Sequence, residues 1–118
     1  MKRGDVWEID LGGTAGTRPV VVLTRQNVLQ YLQKIVVAEV STRGKGYPTE
    51  VFIDQKANLP KPSFVRTESL HTVPKSALRK YLGSLDSETM QAISQRVVFA
   101  LQLESCFPKE SSLQPSLT

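Results

Sequence analysis

Apolar and polar residues alternate over 5–11, DVWEIDL. Val6, Glu8 and Asp10 fall on one side, and Trp7, Ile9 and Leu11 on the other. Period-two spacing predicts a strand with one apolar face. GGTAG then reads as a flexible loop. Residues 19–24, PVVVLT, are apolar on both faces, as in a strand covered on both sides, and Pro19 fits only at its start. RQNVLQYLQ allows one or two helical turns. KIVVAEVST (34–42) is β-branched and predicts a third strand. RGKGYP is a loop, TEVFID (49–54) a fourth strand, and QKANLPKP another loop. SFVRTESLHTV (63–73) reads as extended with a bend near Ser69. PKSALRKYLG has the pattern of a short helix ended by Gly83.

The clearest helix comes last. Asp86 suits an N-cap, and Glu88 lies in the first turn, where a carboxylate favours the helix dipole. Met90, Ile93, Val97 and Leu101 recur on one face, with Gln91, Gln95 and Gln102 mostly off it. That face reads equally as core, as interface or as both. Residues 1–103 are expected to form one domain and 104–118 a loosely packed or disordered tail. Short strands with bulky loops before a packing helix imply α+β architecture, mainly β: a small, curled, antiparallel sheet or partly open barrel.

Composition narrows the function classes. A chain of 118 residues can bury a core without staples. Its single cysteine, Cys106, permits no internal disulfide, and no apolar run approaches the ~20 residues of a membrane span. Met-Lys-Arg-Gly-Asp at the N-terminus leads into a strand pattern, so a cytoplasmic protein is expected. The net charge is +4; the tail from Glu104 is net −1, which leaves the remainder at +5. That mild excess favours a polyanionic partner without deciding it. His71 is the only histidine, and no His/Cys/Asp spacing suits a metal. No P-loop, GxGxxG or supported Ser-His-Asp set is present. Neither metal nor cofactor is expected.

What remains is polar residues on apolar strands. Arg18 opens the doubly buried strand, where an unpaired guanidinium is expensive to bury. It reads as a structural ion pair or as a contact to an anionic ligand. Arg66 and Glu68, two apart in an extended run, share a face. They are either solvent-facing charges or a groove-lining pair in which a carboxylate takes a proton beside a stabilising cation. Ser41 and Thr42, ending the third strand, either cap a loop or donate to phosphate oxygens. Arg43, Lys45 and Tyr47 in RGKGYP form a solvated loop, or contact a backbone phosphate and a stacked base.

At these residues the sequence resembles the MazF/PemK/Kid toxins of bacterial toxin–antitoxin pairs. KRGDVWEIDL is similar to that family's opening strand, GTRPVVVLT to its G-x-R-P-V-x-V motif, and VSTRGKGYPTEV to its following strand and loop. FVRTESLHTV resembles a segment of pattern V-R-x-D, and LGSLDSETMQAI the entry to the last helix. The resemblance spans about residues 2–103. It implies an SH3-like barrel with a C-terminal helix, working as a homodimer. It also implies a ribosome-independent endoribonuclease that cuts single-stranded RNA at short sequences and is blocked by a MazE-like antitoxin. By motif position Arg18, Ser41, Arg66 and Glu68 correspond to catalytic residues, Glu68 where Kid-like members carry aspartate. Thr17, Thr42, Arg43, Lys45, Tyr47 and His71 are the expected RNA contacts. The loop before Arg18 is short and lacks a carboxylate, and His71 stands where many members have arginine.

The expected chemistry is attack by the RNA's own 2′-hydroxyl on the adjacent phosphorus, leaving a 2′,3′-cyclic phosphate and a 5′-hydroxyl. Glu68 is the expected base. Arg18 and Arg66 are expected to stabilise charge, since an arginine with a pKa above ~12 is a poor base. Two alternatives stand beside this reading: a catalytically weak or silent RNA-binding relative, and a gyrase-targeting toxin like CcdB on a similar barrel. The latter carry a tryptophan in a helical tail, whereas Trp7 lies in the first strand.

Overall fold

The computed structural model describes residues 1–10, 12 and 16–106. Six strands make one antiparallel sheet: β1 (Asp5–Asp10), β2 (Thr17–Val22), β3 (Lys34–Ser41), β4 (Glu50–Asp54), β5 (Ser63–Pro74) and β6 (Leu78–Ser84). α1 (Ser87–Ala100), the one α-helix among the described residues, follows them. The spatial order is β4-β5-β3-β2-β1-β6. The fold is mainly β with one C-terminal helix, and the sheet curls without closing.

Alternation along the central strands feeds two cores. Val6, Val21, Ala38, Val40, Ile53 and Val65 pack with Met90 and Ile93 of α1. Ile9, Val20, Val22, Ile35, Val37, Val73 and Leu78 form the second core on the other face, with Leu29 over them. Val20, Val21 and Val22 are all fully buried, as a strand covered on both sides requires. The expectation of a single apolar face on β1 needs correction. Val6 enters the helix-side core while Trp7 and Ile9 serve the other, because β1 too lies between two covered faces. Leu11 lies outside the described residues, as does Gly13–Ala15 of the expected loop.

α1 begins where its cap chemistry predicts: Thr89 N–H donates to Asp86 Oδ1 at 2.7 Å. Met90 and Ile93 are buried, whereas Leu101, just past the helix, is exposed. The bend expected near Ser69 is a bulge. Ala38 faces Leu70 but Glu39 faces Arg66, so Thr67, Glu68 and Ser69 are extra on β5. Thr67 turns inward, fully buried, and its hydroxyl donates to Thr49 O at 2.6 Å. Arg66 and Glu68 are thereby turned outward together.

One segment meets its sequence pattern only in the shorter form, and one departs from it. RQNVLQYLQ forms only a 3-10 turn at Gln26–Val28. PKSALRKYLG is not a helix: after a 3-10 turn at Lys75–Ala77, residues 78–84 form β6 against β1. The open edge of β1 supplies backbone partners that outweigh the segment's modest helix propensity. Gly83 is therefore no helix cap. It lies where a Cβ would stand 2.9 Å from Ala57 Cα, and Asn58 Nδ2 donates to Leu82 O at 2.7 Å. The connection after β4 thus reaches β6 and draws the two sheet edges toward each other. No described helix is long and apolar enough to cross a membrane.

Candidate nucleic-acid interface

The ladder between β2 and β3 ends at Val20–Glu39. Beyond that pair the two strands continue without it, and a cleft of about 620 Å³ lies there. Thr17, Arg18 and Pro19 line it from β2; Val40, Ser41 and Thr42 from the end of β3. Arg43 and Lys45 of the next loop and Ser63 and Arg66 of β5 complete the wall. Four of these side chains are cationic, and none of the described lining residues is a carboxylate. A cleft lined by charge of one sign concentrates an anionic ligand.

Arg18 is exposed and, among the described residues, forms no ion pair. Of the two readings left open by the sequence, the structural ion pair is not found among the described residues. β2 anchors its backbone through Ile9 in the β1–β2 register. Ser41 Oγ accepts the Arg43 N–H at 3.1 Å, so it shapes the loop that carries two of the cations. That loop is further held by Glu50, whose Oε2 accepts from Lys45 N at 3.0 Å and Oε1 from Gly46 N at 3.1 Å.

Arg66 and Glu68 are a pair. Arg66 Nε donates to Glu68 Oε2 at 3.0 Å, and Thr49 Oγ1 donates to Glu68 Oε1 at 2.6 Å. Partial burial pushes the Glu68 pKa up, but the Thr49 hydroxyl, its own backbone N–H and the Arg66 guanidinium outweigh that, and it falls below the ordinary 4.5. Glu68 is joined to the cleft through Arg66 without lining it. Tyr47, half exposed, and His71 also stand off the cleft wall. His71 Nε2 lies 2.5 Å from Glu39 Oε2.

Sequence reasoning passed over Ser63, Glu39, Thr49 and Glu50. Only Glu39 carried a signal, as the lone acid inside a run of β-branched strand residues. Thr49 and Glu50 act through contacts that local spacing does not announce. Among the described residues no group of three or more His, Cys, Asp or Glu side chains is placed to hold a metal ion.

Comparison with known proteins resolves the family. The model of the PemK-like, MazF-like toxins of type II toxin–antitoxin systems matches residues 2–101. The chain belongs to this family. Endoribonuclease MazF3 of Mycobacterium tuberculosis is 32% identical over 87 residues, covering 74% of this chain and 84% of that protein. Among solved structures, the Mycobacterium tuberculosis toxin MazF-mt6 superposes with a TM-score of 0.76 at 28% identity, over 83% of this chain and 96% of that one. An endoribonuclease in complex with its cognate antitoxin, from a mycobacterial species, gives a TM-score of 0.77 at 26% identity, over 92% and 99%. The MazF-like match covers β1 through α1, so the cleft at the end of β2 and β3 lies within it.

Proposed function

We propose that this chain is the endoribonuclease toxin of a toxin–antitoxin pair, cutting single-stranded RNA at short sequences in the cytoplasm. Residues 1–103 form the toxin domain, which works as a homodimer and is held in check by a MazE-like antitoxin. The observation that carries the reading is Arg18: an exposed guanidinium with no ion-pair partner among the described residues, at a cleft bearing three further cations.

The nucleophile is the RNA's own 2′-hydroxyl. It attacks the adjacent phosphorus; the P–O5′ bond breaks and the departing oxygen takes a proton from water, leaving a 2′,3′-cyclic phosphate and a 5′-hydroxyl. No metal or cofactor takes part. Arg18 and Arg66 stabilise the charge gathering on the phosphorane, a preorganised role worth roughly 10²–10³-fold in rate per donor. Ser41 orients a phosphate oxygen, and Thr17, Thr42, Arg43 and Lys45 hold the flanking phosphates. Tyr47 and His71 contact RNA beyond the cleft. Glu68 is ionised at neutral pH, and its three hydrogen-bond donors leave one of the carboxylate's four lone-pair sites open to take the 2′-hydroxyl proton. Its lowered pKa makes it a weak base, which shifts more of the rate onto the two arginines.

The deciding experiment incubates the protein with a long RNA in excess EDTA, maps the cuts, and repeats the assay with a single 2′-deoxyribose at a mapped cut. Cleavage should survive EDTA and vanish at the deoxy position. Loss with EDTA, or cutting at the 2′-deoxy position, overturns the chemistry; binding without cutting points to a silent relative.

A further inference from the structure

We infer that Phe52, backed by Phe64, is a stacking platform for an unpaired nucleobase of the RNA that the cationic cleft holds. This deepens the function proposed above and rests on it. Phe52 is 57% exposed on the edge strand β4, so its ring is open to a ligand. Its ring centroid lies 5.1 Å from that of Phe64, with the planes tilted by 53°. Val51, Ile53 and Val65 pack toward the helix-side core, so strand alternation turns Phe52, Phe64 and Arg66 to the opposite side.

That side is the cleft's side. Phe64 faces Ser41 across the β3–β5 register and Phe52 across the β4–β5 register, so it bridges the cleft wall and the exposed ring. It also lies under the cationic loop: a Cβ on Gly44 would stand 2.7 Å from its Cζ. Gly44 sits between Arg43 and Lys45, both of the cleft wall. Backbone-binding cations beside an aromatic face are what a splayed single strand requires. The phosphates on either side of a base complement that cationic border, which an uncharged apolar side chain or a second, equally basic copy of the chain does not. Continuity with the cleft therefore favours a nucleobase.

The test uses a fluorescein-labelled, randomised single-stranded RNA pool with 2′-fluoro riboses, which binds but cannot cyclise. Phe52→Ala should weaken binding by about 5- to 150-fold, the range of one base–aromatic stack. The dependence on salt should keep its slope, whereas Lys45→Ala should lower that slope by about one. Phe52→Trp should restore affinity, and its added indole emission, over the Trp7 background, should be quenched by the pool. Unchanged affinity in Phe52→Ala overturns the inference, as does unquenched emission in Phe52→Trp. So does a Phe52→Ala effect seen only in the sedimentation of the RNA-free protein, which would make the patch a protein interface. Failure here with cleavage of ordinary RNA intact leaves the nuclease reading standing. No cleavage in the EDTA assay, with the stack present, removes that reading alone.

Discussion

Arg66 and Glu68, two residues apart on β5, are locked together: Nε meets Oε2 at 3.0 Å, while Glu68 Oε1 takes the Thr49 hydroxyl at 2.6 Å. The pairing exists because the bulge buries Thr67 and turns both neighbours outward. It ties a cleft cation to the carboxylate best placed to act beside it.

The pairing makes stability depend on pH in a defined direction. Burial raises the Glu68 pKa, and hydrogen bonds from Thr49, its own backbone and Arg66 more than reverse that, so the folded value lies below the unfolded one. A depressed carboxylate contributes stability above its unfolded pKa and loses it as pH falls through the folded one. Wild type should therefore be more stable than Glu68→Gln at pH ~7, and the gap should close toward pH ~3. Urea midpoints across that range check it; a gap that stays constant contradicts the ionic origin.

Arg18→Ala should abolish most cleavage and leave stability unchanged. The guanidinium forms no ion pair among the described residues, so nothing internal is lost with it. Removing one preorganised donor should lower the cleavage rate by about 10²–10³-fold, ~2.7–4 kcal/mol. Single-turnover cleavage and a urea midpoint read the two effects separately. Full activity in the variant takes Arg18 out of the mechanism.

α1 is the chief cover of the helix-side core, and Ile93 is its most deeply buried anchor, with no exposed surface. Ile93→Ala should cost about 2–5 kcal/mol, the range for deleting a buried aliphatic side chain. The midpoint of urea unfolding should fall with an unchanged slope. A cost under ~1 kcal/mol would mean that the helix packs far more loosely than its contacts indicate.

What the sequence revealed follows from how local each signal is. β1 and α1 announce themselves by periodicity, β2 and β3 by apolar and β-branched runs, and the cap at Asp86 by its residue type. The cleft was legible because Arg18, Ser41 and the Arg43–Lys45 loop sit at strand ends and turns that antiparallel pairing brings to one end of the sheet. β6 was not, because its strand state comes from β1, far earlier in the chain, and not from its own pattern. Glu39 and Thr49 were missed for the same reason: their partners, His71 and Glu68, lie 32 and 19 residues away.

The contact that narrows the gap between the sheet's edges gives the last prediction. β6 is held by β1 on one side, and on the other meets the connection after β4, where Ala57 and Asn58 both adopt left-handed backbone, with φ of 55° and 60°. That conformation turns the Asn58 amide onto Leu82 O and brings the Ala57 backbone against Gly83. A methyl at position 83 would stand 2.9 Å from Ala57 Cα, 3.0 Å from its carbonyl carbon and 3.1 Å from its oxygen. All three atoms are backbone, so no rotamer change relieves the clash; the connection must move and the Asn58 bond must lengthen. Gly83→Ala should therefore lose about 1–3 kcal/mol, the usual cost of overpacking. Gly83 is not among the cleft residues, so cleavage by the folded fraction should persist. Hydrogen exchange should show faster opening of the Leu59 amide, which donates to Lys56 O in this connection, while Val21 and Val37 stay protected. An undiminished urea midpoint with unaltered exchange there would mean that the two edges are not held by this contact.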